Sequence, residues 1–116
     1  MRRWWDEHGT EAFAGDLSRT VAVLPTAAVE QHGPHLPVGV DAMINRGMLE
    51  TAIPMMPREL DVRILPIQAV GKSNEHLHAP GTLTLSAETA LRAWVEIGLS
   101  VARAGVRRIV IVNSHG

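Results

Sequence analysis

Val21-Ala22-Val23-Leu24-Pro25 leads within a few residues into Glu30-Gln31-His32-Gly33-Pro34-His35-Leu36-Pro37, and Asp41 follows four residues later. The first part is a short, continuous apolar run closed by proline, the pattern of a strand buried on both faces. The second part packs a carboxylate, two imidazoles and a further carboxylate into twelve residues. Those are ligand types that divalent zinc, manganese or iron takes. The same arrangement recurs downstream, where Arg108-Ile109-Val110-Ile111-Val112 runs into Asn113-Ser114-His115-Gly116. Two ligand-rich loops, each leaving the end of an expected strand, point to a metal-dependent enzyme.

Between these landmarks, residues 41–53 carry apolar positions at Met43, Ile44, Met48, Leu49 and Ile53. That spacing predicts a helix, with Asp41 as its N-cap and Pro54 and Pro57 closing it. Residues 62–67 read as a second strand, weakened at Pro66. Residues 71–82 are polar, contain Gly71, Pro80 and Gly81, and read as a long loop. Ser86 is expected to cap a helix over 87–104 that turns Leu91, Trp94, Val95, Leu99 and Ala102 inward, and Gly105 stops it. Met43, Met48, Met55 and Met56 are expected core fillers. Trp4-Trp5 would cover either the core or an interface.

Strand, helix, strand, loop, helix, strand is the order of a parallel sheet with crossover helices. In such open sheets ligands collect at the carboxyl ends of strands, and both polar clusters begin there. The strand at 108–112 reads as a central one, which needs neighbours and helical cover on both faces. Three strands and two helices make a thin sheet. The chain is therefore expected to be the N-terminal portion of one longer domain. One edge of the last strand and part of the apolar face of helix 87–104 would then lie uncovered.

At 116 residues the chain has room for one domain and one core. Its 46% hydrophobic and 20% charged residues are ordinary for a globular protein. A net charge of −1 gives no electrostatic footprint for nucleic acid or an anionic membrane. The lack of cysteine eliminates disulfides, thiolate nucleophiles and cysteine zinc sites. Met1-Arg2-Arg3-Trp4-Trp5 is basic, but Asp6, Glu7 and His8 stand where a signal peptide needs an apolar run. No stretch approaches the ~18 apolar residues of a membrane span, so a cytoplasmic protein is the default expectation. Gly71-Lys72-Ser73 looks superficially like a phosphate-binding loop, but Pro66 occupies the position where that motif needs its first glycine. No nucleophile elbow and no His-Glu-x-x-His helix is present.

Glu30 and His32 are two residues apart, so an extended backbone places them on one side. Asp41, at a helix start across the loop, can return a carboxylate to the same point. A carboxylate that gives one oxygen to each of two ions is the usual bridge of a dinuclear site, with metals about 3.5–4 Å apart. His115 arrives from the neighbouring strand end. Four protein ligands suffice for one tetrahedral zinc, but fall one or two short of a dinuclear centre that also holds a water.

The run from Glu30 to Pro37 with Asp41, then Pro80-Gly81-Thr82, then Asn113-Ser114-His115-Gly116, resembles the creatininase (creatinine amidohydrolase) family. Its members are metal-dependent hydrolases of carbon–nitrogen bonds in amides, and they include the mycofactocin-precursor peptidase. The resemblance implies a three-layer α/β/α fold with a mostly parallel sheet, usually assembled as a hexamer. It implies two divalent ions (Zn, Mn or Fe), with Glu30 and His115 holding one, His32 the other, and Asp41 bridging both. Family members are much longer, and the remaining carboxylate of the second ion and the substrate-handling residues lie beyond Gly116. No catalytic acid or base can therefore be named in this chain. His35, Glu75 and His76 are expected to face substrate or to orient the ligands, and the family often has a histidine at the position of His76. His78 shares that loop, while Gly81 and Thr82 would serve backbone geometry. The chemistry implied is attack of a metal-activated water on a small-molecule amide, a cyclic amide or a peptide. The alternative is a non-catalytic metal-binding or interaction module that keeps the front half of the fold.

Overall fold

The computed structural model describes residues 1–116. Its elements run β1 (Val21–Thr26), α1 (Val40–Ala52), β2 (Val62–Ile64), α2 (Ala87–Arg103) and β3 (Arg108–Asn113). The strands form one sheet of order β2-β1-β3. β1 pairs in parallel with β2 from Val21↔Val62 to Val23↔Ile64, and with β3 from Val21↔Arg108 to Thr26↔Asn113. The expected α/β class with a parallel sheet is what the chain adopts.

Alternation along β1 divides the core in two. Ala22 and Leu24 join Leu17, Leu65, Val101 and Val106, with Trp94 and Ile97 of α2 packed against them. Val23 faces the other way and joins Leu49 of α1 with Val62 and Ile64. A strand covered on both faces favours apolar residues along its length, which is why β1 reads as an unbroken run from Val21 to Pro25. Trp5 packs on the first cluster and Trp4 on the second, so the tryptophan pair covers core on opposite faces of the sheet.

β3, apolar like a central strand, has one edge uncovered in this chain, as expected: it pairs only with β1, and Ile109, Val110 and Ile111 are 44%, 48% and 56% exposed. Several expectations are corrected. β2 ends at Ile64 rather than 67 because Pro66 has no N–H for the ladder. Irregular pairing continues around it, with Leu65 N–H donating to Val23 O and Gln68 N–H to Pro25 O. Gly39, not Asp41, occupies the N-cap of α1, and Asp41 lies in the first turn. The buried face of α1 is Asp41, Asn45 and Leu49, while Met43, Ile44 and Met48 are exposed. Met55 is exposed too, and of the four methionines only Met56 packs on a core cluster.

In α2, Ser86 Oγ accepts the Thr89 N–H at 3.2 Å, as an N-cap does. Gly105, at φ +103°, ends the helix. Val106 N–H returns to Val101 O and Gly105 N–H to Ala102 O, the paired closure of a Schellman motif. The inward face, however, is Ala90, Trp94, Ile97 and Val101. Leu91, Val95, Leu99 and Ala102 form a second stripe that stays exposed. Loop 71–82 crosses close to the end of β1, and a Cβ on Gly71 would lie 2.3 Å from Ala27 O. No helix is long and apolar enough to cross a membrane.

Candidate metal centre

Four segments converge beyond the carboxyl ends of β1 and β3. Glu30 and His32 leave β1, Asp41 stands in the first turn of α1, His115 follows β3, and loop 71–82 brings Ser73, Glu75 and His76. Glu30 and Asp41 are each only 5% exposed. Carboxylates buried so deeply persist only when paired, hydrogen-bonded or bound to a cation.

Asp41 gives one oxygen to each imidazole. Oδ1 lies 3.1 Å from His32 Nε2, and Oδ2 lies 3.4 Å from His115 Nδ1. The other nitrogen of each ring faces a backbone carbonyl: His32 Nδ1 is 3.0 Å from Glu30 O, and His115 Nε2 is 2.9 Å from Lys72 O. A carbonyl only accepts, so His32 carries its proton on Nδ1 and His115 on Nε2. In the neutral rings the lone pairs at His32 Nε2 and His115 Nδ1 both aim at Asp41. A ring nitrogen fixed by an outer hydrogen bond while its partner is left free is the usual arrangement of metal-bound histidine. Asp41 Oδ2 and His115 Nδ1 are buried with no hydrogen-bond partner. His115 Nδ1 is also 2.8 Å from Glu30 Oε2, a close approach that misses hydrogen-bond alignment. These orphaned atoms fit a divalent cation between them. Glu30, His32 and Asp41 offer ligand atoms within 4.8 Å of one another, and so do Glu30, Glu75 and His115.

The surrounding groups set protonation. Burial pushes the Glu30 carboxyl up, but the Ser73 hydroxyl, with His115, Asp41 and His76, more than offsets this and holds it below the usual range. Ser73 Oγ donates to Glu30 Oε1 at 2.5 Å. The bond to the Glu30 carbonyl, aided by the Asp41 and Glu30 carboxylates, outweighs burial and raises the pKa of His32.

The remaining expected residues divide. Gln31 Nε2 donates to His76 Nδ1 at 3.1 Å, which leaves the Nε2 proton of His76 facing Glu30 Oε1 at 3.4 Å. His76 thus approaches Glu30 from the side opposite His115 as an electrostatic neighbour. Glu75 is exposed, 3.6 Å from Lys72 Nζ and 3.8 Å from His115 Nε2. His35 is exposed and makes no hydrogen bond or ion pair to the cluster. Sequence reading missed Ser73, Asn45, Ser114 and the Lys72 carbonyl. Asn45 was within reach of helical spacing, since it stands one turn after Asp41 and shares its buried face. Ser73 had no such signal beyond a run that fails as a phosphate loop.

Comparison with known proteins agrees with this geometry. The creatininase family model, described as creatinine amidohydrolase, matches residues 7–116. A mycofactocin precursor peptide peptidase from Mycolicibacterium smegmatis is 35% identical over 98 residues, covering 83% of this chain and 39% of that protein. A creatinine amidohydrolase from Pseudomonas putida is 32% identical over 116 residues, covering 96% and 42%. Among solved structures, a creatinine amidohydrolase (creatininase) superposes with TM-score 0.82 at 28% identity, over 97% of this chain and 44% of that one. A mutant creatininase of Zn–Zn type gives TM-score 0.81 at 26% identity, over 99% and 46%. The chain spans about two fifths of the length of the curated relatives it matches, 39% and 42% of these two. Parallel sheet, strand-end cluster of carboxylates and imidazoles, and sequence match lead to one assignment: this chain belongs to the creatininase family, whose members here are hydrolases.

Proposed function

We propose that this chain provides the metal-binding front half of a hydrolase that cleaves carbon–nitrogen bonds in amides through a dinuclear centre. One observation carries the reading. Two imidazoles, each with its proton committed to a backbone carbonyl, turn free nitrogens toward the two oxygens of one buried carboxylate. In this reading Glu30 and His115 would hold one ion and His32 the other, with Asp41 available to both. Divalent ions there would polarise an amide carbonyl and bring the pKa of a water toward neutrality.

The chain's own residues prepare the site for that chemistry. Ser73 and His76 engage Oε1 of Glu30, which leaves Oε2 turned toward His115. The same contacts keep Glu30 ionised despite burial. The carbonyls of Glu30 and Lys72 hold the two rings in their ligating tautomers. Glu75, beside His115 and exposed, stands where a substrate would meet the cluster. The named relatives support an amide that is either a small ring, as in creatinine, or a peptide. We further read the chain as the N-terminal portion of a longer, homo-oligomeric domain. The exposed apolar edge of β3 and the greater length of the relatives support that.

The test is elemental analysis of the purified full-length protein reconstituted with zinc or manganese, with amine or ammonia release measured on cyclic amides and short peptides. Two ions per chain with turnover is the expected result. Stoichiometric metal without turnover of any amide would favour the rival reading of a non-catalytic metal-binding module.

A further inference from the structure

Asn45 is fully buried, 0% exposed, on the face of α1 that also carries Asp41 and Leu49. A leucine there would extend the apolar packing that Leu49 makes with the sheet. The chain instead buries an amide whose Oδ1 has no hydrogen-bond partner, a costly choice on packing grounds alone. Its nitrogen explains the choice. Asn45 Nδ2 meets Thr26 O at the end of β1 at 3.1 Å, Val112 O in β3 at 3.0 Å, and Ser114 Oγ at 3.1 Å. The Ser114 hydroxyl passes its own hydrogen to the backbone carbonyl of Asp41 at 2.7 Å. Ser114 N–H donates to Thr26 O at 3.0 Å, so that carbonyl's two lone pairs serve the Ser114 amide and Asn45.

The result is a closed link between three elements. Asn45 is the one side chain of α1 that hydrogen-bonds to either strand, and through Ser114 it ties the turn holding Asp41 to the segment holding His115. Asn113 completes the anchoring of that segment: its Oδ1 accepts from Thr26 Oγ1 and from His115 N–H. The distance so fixed is the 3.4 Å between Asp41 Oδ2 and His115 Nδ1. A side chain that sits on neither ligand but sets their separation is a positioning residue for whatever the two ligands share.

We infer that Asn45 is the positioning residue that locks the Asp41 turn of α1 to the ends of β1 and β3 and so presets the gap in which Asp41 and His115 share an ion. The metal half of this inference rests on the dinuclear reading above, whereas the locking half does not.

Asn45→Leu removes the donors at similar volume, and Leu49→Ala, one turn along the same face, destabilises the helix without touching the link. Both are compared with the parent full-length protein well below their melting temperatures. Hydrogen exchange of the Ser114 amide is read without metal, and Zn2+ affinity by chelator competition. Asn45→Leu should lose Ser114 protection and about 10–100-fold in Zn2+ affinity, while Leu49→Ala lowers the melting temperature and keeps both. If the parent binds no Zn2+, the dinuclear reading falls, and loss of Ser114 protection in Asn45→Leu alone still upholds the lock. Unchanged protection and affinity in Asn45→Leu, or equal losses in Leu49→Ala, would overturn the inference. Should Asn45→Leu not fold, Ser114→Ala, which cuts the relay to Asp41, must lower Zn2+ affinity at least several-fold; parent-like affinity would overturn it.

Discussion

Nδ1 of His115 lies 2.8 Å from Oε2 of Glu30, yet the two form no hydrogen bond. The ring's proton sits on Nε2, facing the Lys72 carbonyl. In the neutral form that a metal would need, the ring points its Nδ1 lone pair at the Glu30 carboxylate. Two electron-rich atoms at that distance repel unless positive charge lies between them. The Asp41 carboxylate adds to the same demand from the other side. A cation held among these atoms would remove that repulsion, and under the proposed function mutation and titration should show it.

Asp41 touches both imidazoles, so its loss should remove more metal than the loss of any other ligand. In the full-length protein, Asp41→Ala is expected to bind neither ion firmly, whereas Glu30→Ala and His32→Ala each retain about one. Elemental analysis of the purified variants decides this. Equal loss of a single ion in all three would sink the bridging role.

Metal and protons compete for the same nitrogens. His32 has a raised pKa in the metal-free fold, above its ordinary value of about 6.5. Its protonated form therefore stabilises the metal-free fold below that ordinary value, and this stabilisation disappears as pH rises through the raised one. Metal needs the neutral ring, so affinity should climb across the same interval and weaken steeply below it. Calorimetric titrations at several pH values spanning the histidine range check the slope. Affinity indifferent to pH would mean that the imidazoles are not ligands.

Much of this was legible from residue order, for identifiable reasons. β1 was readable because a strand buried on both faces is apolar without a break from Val21 to Pro25, with Thr26 alone polar at its end. The clustering of Glu30, His32, Asp41 and His115 was readable because strand ends gather polar groups at one place. α1 misled because Met43, Ile44 and Met48 imitate a core face, while its buried side is Asp41, Asn45 and Leu49. Helical spacing identifies a stripe but cannot say which stripe faces inward when polar residues such as Asp41 and Asn45 occupy the inner one. α2 has apolar residues on two stripes, so its period alone could not choose between Leu91 with Val95 and Trp94 with Ile97. Ser73 and the Lys72 carbonyl act through loop geometry and a backbone atom, which residue identity does not record.

Away from the metal centre, Asp61 joins the start of β2 to β1. Its carboxylate accepts from Thr20 Oγ1 at 2.6 Å and from Arg63 Nε at 3.1 Å. Burial pushes its pKa up, but Arg63, Thr20 and the charge of Arg3 outweigh this and hold it below the usual range. A depressed pKa means stability that is fully present above the unfolded value of about 3.9 and lost as pH falls through the native one. Asp61→Asn should cost about 1–2 kcal/mol near neutrality, after allowance for partial exposure. Urea unfolding of parent and variant should give a constant gap from pH 5 to 8 that closes under acid conditions, below about 4. A gap that widens on acidification would contradict the assignment.

Gly71 tests how tightly loop 71–82 is set against the sheet. An added Cβ would fall 2.3 Å from Ala27 O, a backbone atom that cannot swing away. Gly71→Ala must therefore displace the loop, at a cost of about 1–3 kcal/mol, the usual range for overpacking. Because Ser73 is two residues on and bonded to Glu30, the displacement should also weaken metal binding. Denaturant midpoints together with Zn2+ affinity measure the two effects. A Gly71→Ala variant as stable as its parent would show that the loop has slack.

The exposed apolar surfaces give the strongest expectation for the 116-residue chain expressed by itself. Leu91, Val95 and Leu99 on α2 are 61%, 59% and 57% exposed, and Ile109 and Ile111 on the open edge of β3 are 44% and 56% exposed. Each large apolar side chain left in water forgoes about 1.5–3 kcal/mol, against a total stability that is typically about 5–15 kcal/mol. An open parallel edge also offers unpaired backbone groups to other chains. The isolated chain should therefore self-associate or stay loosely packed, with dye-binding apolar surface and little near-ultraviolet dichroism. Replacing Leu91, Val95 and Leu99 by glutamine should reduce association, because α2 then presents no apolar stripe. Light scattering and calorimetry read both effects, alongside an amide-hydrolysis assay in which the isolated chain should show no turnover. A cooperatively melting monomer with two bound ions and measurable hydrolysis would mean that these faces need no cover and that the front half suffices for catalysis.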